Sequence, residues 1–571
     1  MGERSVGARS AGGFVSPGGP VASGLGKVPQ PAARGEGLPP GAMGGVGAAA
    51  AAGAKPGAAY PYQYRPPTPL PEPDWLRLSA ARPVEPARLR VVAAAIGTGL
   101  LAALVLGDGL GVNLLLCTLV GAVGAAMTAL GTGRTVKPWH SVFALAVLLL
   151  CLVPAVSGAG GAEALAVVAA ICVASLVLHG GSRWPGVALG AIGAWVHLLP
   201  GLVWGVSSLK KRRFPAKGRV APVAKAVGVS LVLLIVFGSL FAGADSTVAD
   251  LLDSLVPSVD GGEIPFRALL FFGGLMVALG AAHTAAAPRR WDRVNTPVGK
   301  ERGRLEWAMP LVVLNLLFGT FVVVQLVVLV GGYNSIMRRT GMTPAEYARQ
   351  GFWQLLWIAV LTLVVVALAK YWAPRSNEGD HRLVKVLLGL LCTFTLVVVG
   401  TALVRMSLYM DAFGLTRLRV NVAAVEIWLG LVFLLVLFGS VLSTRRWLPR
   451  AVVLSAAVAV AVFGLLRTDN LIAQQNIDRQ LSGSTRLDVR YLSTLSVDAV
   501  PALDRLTGDY RTCALQQIAS DLNDEQAPPW YAISYAESRA REILAERPVV
   551  KDRGAACNRV APFYGDRRGL E

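Results

Sequence analysis

Charge is scarce in this chain. Asp, Glu, Lys and Arg together fill 16% of 571 positions, against about 25% in soluble proteins, too few to coat several soluble domains. The short elements that announce common chemistries are missing as well. There is no His-Glu-x-x-His helix, no Gly-x-Ser-x-Gly elbow in a suitable setting and no Gly-Lys-Ser/Thr phosphate loop, so the sequence names no reaction. "GTGRT" from Gly131 is glycine-rich, but it leads to "VKPWH" and reads as a loop. His140, beside Trp139, reads there as interfacial rather than catalytic. No short basic stretch followed at once by an apolar core opens the chain, so a secretory signal is not expected.

Apolar residues, by contrast, make up 54% of the sequence. They fall in uninterrupted runs of about 17–25, long enough to cross a hydrocarbon layer of about 30 Å. A formal charge of +19 would suggest nucleic acid in a soluble protein. Here Lys and Arg cluster in short loops beside apolar runs, which is how a membrane protein fixes its orientation, and no nucleic-acid partner is expected. Residues 1–88 stand apart as a Gly/Pro/Ala-rich arm with no periodic apolar face to bury. They read as a disordered cytoplasmic tail. Tyr60, Tyr62 and Tyr64 within it read either as solvated or as a docking segment for a proline-recognising module.

The fold class expected is an all-α polytopic membrane protein. Eleven spanning segments are expected near 89–106, 110–130, 140–157, 162–179, 220–241, 266–287, 306–330, 350–370, 383–401, 421–442 and 447–466, with twelve as the rival count. They group as a four-helix segment, 89–179, and a seven-helix core, 220–466. The run from Trp184, "WPGVALGAIGAWVHLLPGLVWGVSSLKKRR", does not fit as a crossing. If it crossed, the most basic loop, with Lys210, Lys211, Arg212 and Arg213, would lie on the opposite side from Arg134, Lys137 and Arg183. Residues 184–206 are therefore expected as an interfacial or re-entrant helix.

With the N-terminus inside, an odd count places 467–571 outside as a small, mainly helical domain, capped at its start by Asp469 or Asn470. Cys117, Cys151, Cys172 and Cys392 lie in apolar runs, where a thiol behaves as a small hydrophobe. Cys513 and Cys557 are the pair in the polar tail and are expected as a disulfide, one that would stabilise the domain by about 2–4 kcal/mol. Two cysteines do not make a four-ligand zinc site, and no metal or cofactor is expected. The partners expected are membrane lipids and an envelope or membrane protein contacting 467–571.

Four strings occur in order: "VFGSLFAGADSTVADLL" from Val236, "GMTPAEYARQGFWQL" from Gly341, "RMSLYMDAFGLTRLRV" from Arg405 and "DVRYLSTLSVDAVPAL" from Asp488. Together they resemble the bacterial membrane family called domain of unknown function 4173, related to domain of unknown function 4153, over about residues 230–510. The resemblance implies an integral protein of the bacterial cytoplasmic membrane. It brings no reaction and no catalytic residue to these positions.

Candidate site residues come from charge that defies the loop bias. In the eleven-crossing reading 331–349 is an outer loop, and Thr343-Pro344 starts the next helix as cap and first residue. Tyr347 and Trp353 then sit at headgroup level. That leaves Arg338, Arg339 and Arg349 outside, together with Arg405, Arg417 and Arg419. Arg338, Arg349, Arg405, Asp411, Arg417 and Glu426 are therefore the candidate ligand-binding set, for an anionic solute or lipid headgroup. The other reading pairs these arginines with Asp411 and the acidic loop at 245–263. Glu426, about one and a half turns into its helix, must pair, take up a proton or face water. Asn113, Asn315, Gln325 and His283 are expected as helix–helix hydrogen bonds. The function expected is a sensor, scaffold or assembly factor acting through the outer face. The alternatives are a transporter of a small or lipid-like anionic substrate and a membrane-embedded envelope transferase.

Overall fold

The computed structural model describes residues 85–135, 137–211, 230, 237, 263–294, 303–331, 352–372, 378–441, 445–482, 487–524, 527–550, 552 and 554–560. They form an all-α polytopic membrane protein, with no strand among the described residues. The long helices are α1 (Leu89–Val105), α2 (Val112–Gly131), α3 (Pro138–Val156), α4 (Gly160–His179), α7 (Glu263–Ala286), α8 (Arg304–Gly331), α9 (Phe352–Trp372), α10 (Glu378–Phe413), α11 (Arg417–Val441) and α12 (Leu448–Leu465). Between α4 and α7 lies a broken rod: α5 (Trp184–Ile192), a 3-10 turn (Gly193–His197) and α6 (Leu198–Lys211). Among the described residues ten helices, the rod counted as one, are long and apolar enough to cross a membrane, and α1 is slightly shorter.

Their apolar residues point both ways. Trp307, Leu311, Leu355, Leu391 and Phe433 bury a core shared by α8–α11. Phe143, Leu150, Val153, Ala166 and Ala457 bury a second between α3, α4 and α12. Leu316, Leu317 and Val327 on α8 stay largely exposed, as a helix facing lipid requires.

The turns after α1, α3 and α10, and the end of α12, share one face, on which the described residues of 467–560 are packed. We call it the domain face. The start of α7 belongs to it too, because Arg267 donates to Asp108 in the α1–α2 turn at 2.8 Å.

Both ends of the broken rod contact the opposite, far face. Asp292, just past α7, accepts from the backbone N–H of Arg183 at 3.0 Å. At the other end Ser208 Oγ accepts from Ala87 N at 2.7 Å, and Trp204 Nε1 donates to the Glu85 carbonyl at 2.8 Å, both just before α1. The rod crosses α7 at Gly201 and Gly280, where a Cβ on Gly201 would lie 2.6 Å from the Gly280 Cα. Small residues permit such backbone approach. The chain therefore stands at the far face at Lys211 and at the domain face at Glu263. The crossing expected at 220–241 lies outside the described residues.

The domain itself comprises α13 (Thr468–Leu481), α14 (Val489–Leu492), α15 (Val500–Leu503), α16 (Gly508–Asp524), α17 (Tyr535–Glu546) and α18 (Ala555–Val560). Ile472, Ile477, Leu492, Leu503, Leu515 and Ala540 form its core, and Leu415 and Val420 from the α10–α11 hairpin pack against it. The Cys513–Cys557 disulfide is formed, with Cα atoms 4.7 Å apart, and ties α18 to α16.

Candidate functional site

Two carboxylates in the domain seat it on the helices. Asp469, in the first turn of α13, is almost fully buried and takes a two-pronged contact from Arg417, Nε to Oδ1 at 2.9 Å and Nη2 to Oδ2. Its Oδ2 also accepts from Ser496 N at 2.8 Å. Burial alone would raise this carboxyl's pKa, but the Arg417 guanidinium and the Ser496 donors outweigh it and hold the group below the usual carboxylate range. Asp469 therefore does not cap α13 as expected; Arg467 occupies the cap position, with no side-chain cap bond. The Arg417 backbone N–H donates to the Tyr491 hydroxyl at 2.6 Å, which adds α14 to the same joint.

Asp498 is the second anchor. It is wholly buried, accepting from Ser157 Oγ at 2.7 Å and Gly158 N at 3.3 Å in the α3–α4 turn. Arg467 reaches it from the α12–α13 joint at 3.3 Å. Arg467 itself sits at φ 50°, in the left-handed region that non-glycine residues rarely adopt. Desolvation raises the Asp498 pKa despite these partners. A third contact joins Tyr531 Oη to Asp108 at 2.8 Å, beside the Asp108–Arg267 ion pair.

The candidate set from the sequence is dispersed over this face. Arg338 and Arg349 lie outside the described residues, as do Arg339 and Thr343-Pro344. Arg405 is half-buried in α10, which continues to Phe413, so most of "RMSLYMDAFGLTRLR" is helix rather than loop. Asp411 has an exposed side chain, while its carbonyl accepts from Arg479 of α13. Arg419 donates to the carbonyls of Phe413 and Gly414 at the end of α10 and lies 4.3 Å from the Tyr409 ring centre. A cation is favoured at that helix terminus. Glu426 is wholly buried, and neither carboxylate oxygen has a hydrogen-bond partner among the described residues. Because α11 begins at Arg417, Glu426 is about two and a half turns into its helix, deeper than expected.

Sequence reasoning missed a histidine cluster at the far face. The chain has five histidines, and three converge from α4, the 3-10 turn and α7. His197 Nδ1 and His283 Nδ1 are 2.9 Å apart, so one proton lies between them. His179 Nδ1 donates to the Ser175 carbonyl at 3.0 Å. His283 thus bonds to the rod, while Asn315 links α8 to the Leu387 carbonyl of α10 at 3.2 Å. Asn113 of α2 likewise donates to the Val105 carbonyl at the end of α1, and to Gly109 in the turn between them. The helix break that presents His197 falls inside an apolar run, so hydropathy carries no sign of it.

Among the described residues no group of three or more His, Cys, Asp or Glu is arranged to hold a metal ion. The arrangement at the domain face is one of ion pairs and hydrogen bonds that join a folded domain to helix ends. Neither a curated protein nor a solved structure matches the chain. A profile of the family described as "Domain of unknown function (DUF4153)" matches residues 144–506, which run from within α3 through α12 to the segment ending at Leu503, with both seating carboxylates. Covering well over half of the sequence, that match means that the chain belongs to the DUF4153 family.

Proposed function

We propose that this protein is a non-enzymatic membrane scaffold or sensor whose domain face is extracytoplasmic and presents residues 467–571 to an envelope or membrane protein. The observation that carries the reading is the seating of the domain: Asp469 and Asp498 bind Arg417, Arg467 and the α3–α4 turn. Arg417, one of the charges that sequence bias left unexplained, is thereby engaged in holding the domain against the α10–α11 hairpin. The four strings in order support a place beside domain of unknown function 4173 within the wider family, in a bacterial cytoplasmic membrane with the N-terminus inside. Lipids surround the apolar helices. Transport of a small or lipid-like anionic substrate is the second reading, and the deep position of Glu426 is what favours it.

A photo-crosslinking residue placed at Trp530, 75% exposed on the domain, tests the proposal in cells. The expected result is one discrete protein product at that site, lost when Arg417 and Asp469 are both replaced by Ala. No product, together with uptake of an anionic solute by vesicles containing the pure protein, replaces scaffold by transporter.

A further inference from the structure

Glu426 is a charged-type residue without a role in seating the domain. It lies nine residues past Arg417, the first residue of α11, or ~13 Å along the axis, near the middle of a hydrocarbon layer of about 30 Å. Gly430, one turn on, meets Val399 of α10, and Trp428 Nε1 donates to Ser455 Oγ of α12 at 3.2 Å. Gly430 shares the helix face of Glu426, which places the carboxyl on the side of α11 that packs against α10. Val422, Leu429 and Ala402 are buried around that level. Arg405 occupies a similar level on α10, yet neither Glu426 oxygen receives a hydrogen bond from it or from any described group.

An ionised carboxylate in such surroundings loses its hydration and gains no donor in return. Isolated burial of that kind costs far more than neutralisation, so the group takes up a proton instead. We propose that Glu426 is a proton-binding site in the membrane interior, its ligand a single proton held as a neutral carboxylic acid. The assignment stands on burial, depth and the absence of a donor among the described residues, and it does not depend on the scaffold reading.

A neutral acid in an apolar setting is also the group that a membrane-soluble carbodiimide modifies. The acid's proton moves to one carbodiimide nitrogen, and the carboxylate oxygen bonds to the central carbon. The acyl group then migrates from oxygen to nitrogen, leaving a stable N-acylurea. The reaction is an addition: nothing leaves and nothing is oxidised or reduced.

The test uses full-length protein in phospholipid vesicles at neutral pH. The infrared spectrum of the wild type minus that of Glu426→Gln should contain the carbonyl stretch of a protonated acid, on the high-frequency side expected without a hydrogen bond. Loss of a carboxylate band in its place overturns the proposal. Gln matches the neutral acid in shape and charge, so the variant should assemble in wild-type amount. Should it fail to assemble, labelling of the wild type with dicyclohexylcarbodiimide decides. An adduct on the Glu426 peptide upholds the site, and an unmodified Glu426 under conditions that label other buried acids overturns it.

Discussion

Arg417 and Asp469 show how one pair joins two parts of the chain. Asp469 is almost fully buried while the Arg417 side chain is 44% exposed, so solvent screens one partner only. Replacing Asp469 by Ala should cost about 2–3 kcal/mol, below the about 3–5 kcal/mol of a fully buried pair. A double-mutant cycle with Arg417→Ala, read by thermal unfolding in detergent, should recover much of that as coupling. The pH dependence has a definite sign. Asp469 titrates below its unfolded value when folded, so its stabilisation is present above the unfolded value, about 3.9, and is lost as pH falls through the depressed one. Asp498 has the opposite sign: its folded pKa is raised, chiefly by burial. Its contribution is fully present below the unfolded value and declines as pH rises through the folded one. Asp469→Asn should therefore flatten the acid side of the stability profile, and Asp498→Asn the side above about pH 4. A profile unchanged by either substitution would remove the assignment of these two groups.

Neither carboxylate announced its partner in the sequence. Ser157 and Asp498 are 341 positions apart and Arg417 and Asp469 are 52 apart, separations at which no spacing rule operates. The depth of Glu426 was misjudged for a related reason. "RLR" from Arg417 reads as loop because two cations discourage an apolar helix, but Asp469 takes one of them and the Phe413 and Gly414 carbonyls take the other. With both charges satisfied, the helix starts four residues earlier than the expected 421. The cysteine pair was legible because these two alone of the six cysteines lie in the polar tail, away from the apolar runs.

Among the elements, the α10–α11 hairpin depends most on one residue. Gly414 has φ +80°, and a Cβ there would lie 2.3 Å from Asn476 Oδ1. Asn476 meanwhile brackets Leu415, accepting from its N–H and donating to its carbonyl, each at 2.9 Å. Gly414→Ala should combine a left-handed strain of about 1–2 kcal/mol with displacement of Asn476. The expected outcome is a lower unfolding temperature and protease access to the domain in folded membranes, while Gly389→Ala, open to space on α10, should change neither. The disulfide acts on a different element. It joins cysteines 44 positions apart, so by chain entropy its reduction should destabilise the domain by ~4 kcal/mol at most. Urea unfolding followed by Trp530 fluorescence with and without reductant checks this, and an unshifted midpoint would contradict it.

For the molecule as a whole, hydropathy conveyed the long helices because each run must satisfy its backbone internally and face lipid. It did not convey which turns meet, since that depends on side chains at helix ends. The orientation proposed above is checked by reporter fusions. An activity confined to the exterior should appear after Glu571 and be absent from fusions within 210–219; the reverse pattern would invert the protein.

The seating of the last hundred residues also bears on the order of assembly. Synthesis runs from the N-terminus, yet Tyr531 closes on Asp108, and Asp498 on Ser157. Helices α1 to α4 therefore enter the membrane long before their turns acquire permanent partners. Until Asp498 leaves the ribosome, Ser157 Oγ and Gly158 N depend on water, and until Tyr531 follows, Arg267 is the one partner of Asp108 among the described residues. Chains arrested before residue 498 should be inserted but readily cleaved at the α1–α2 and α3–α4 turns. Resistance at both turns should arrive together, late and abruptly, when the final segment folds back over ground laid down at the beginning.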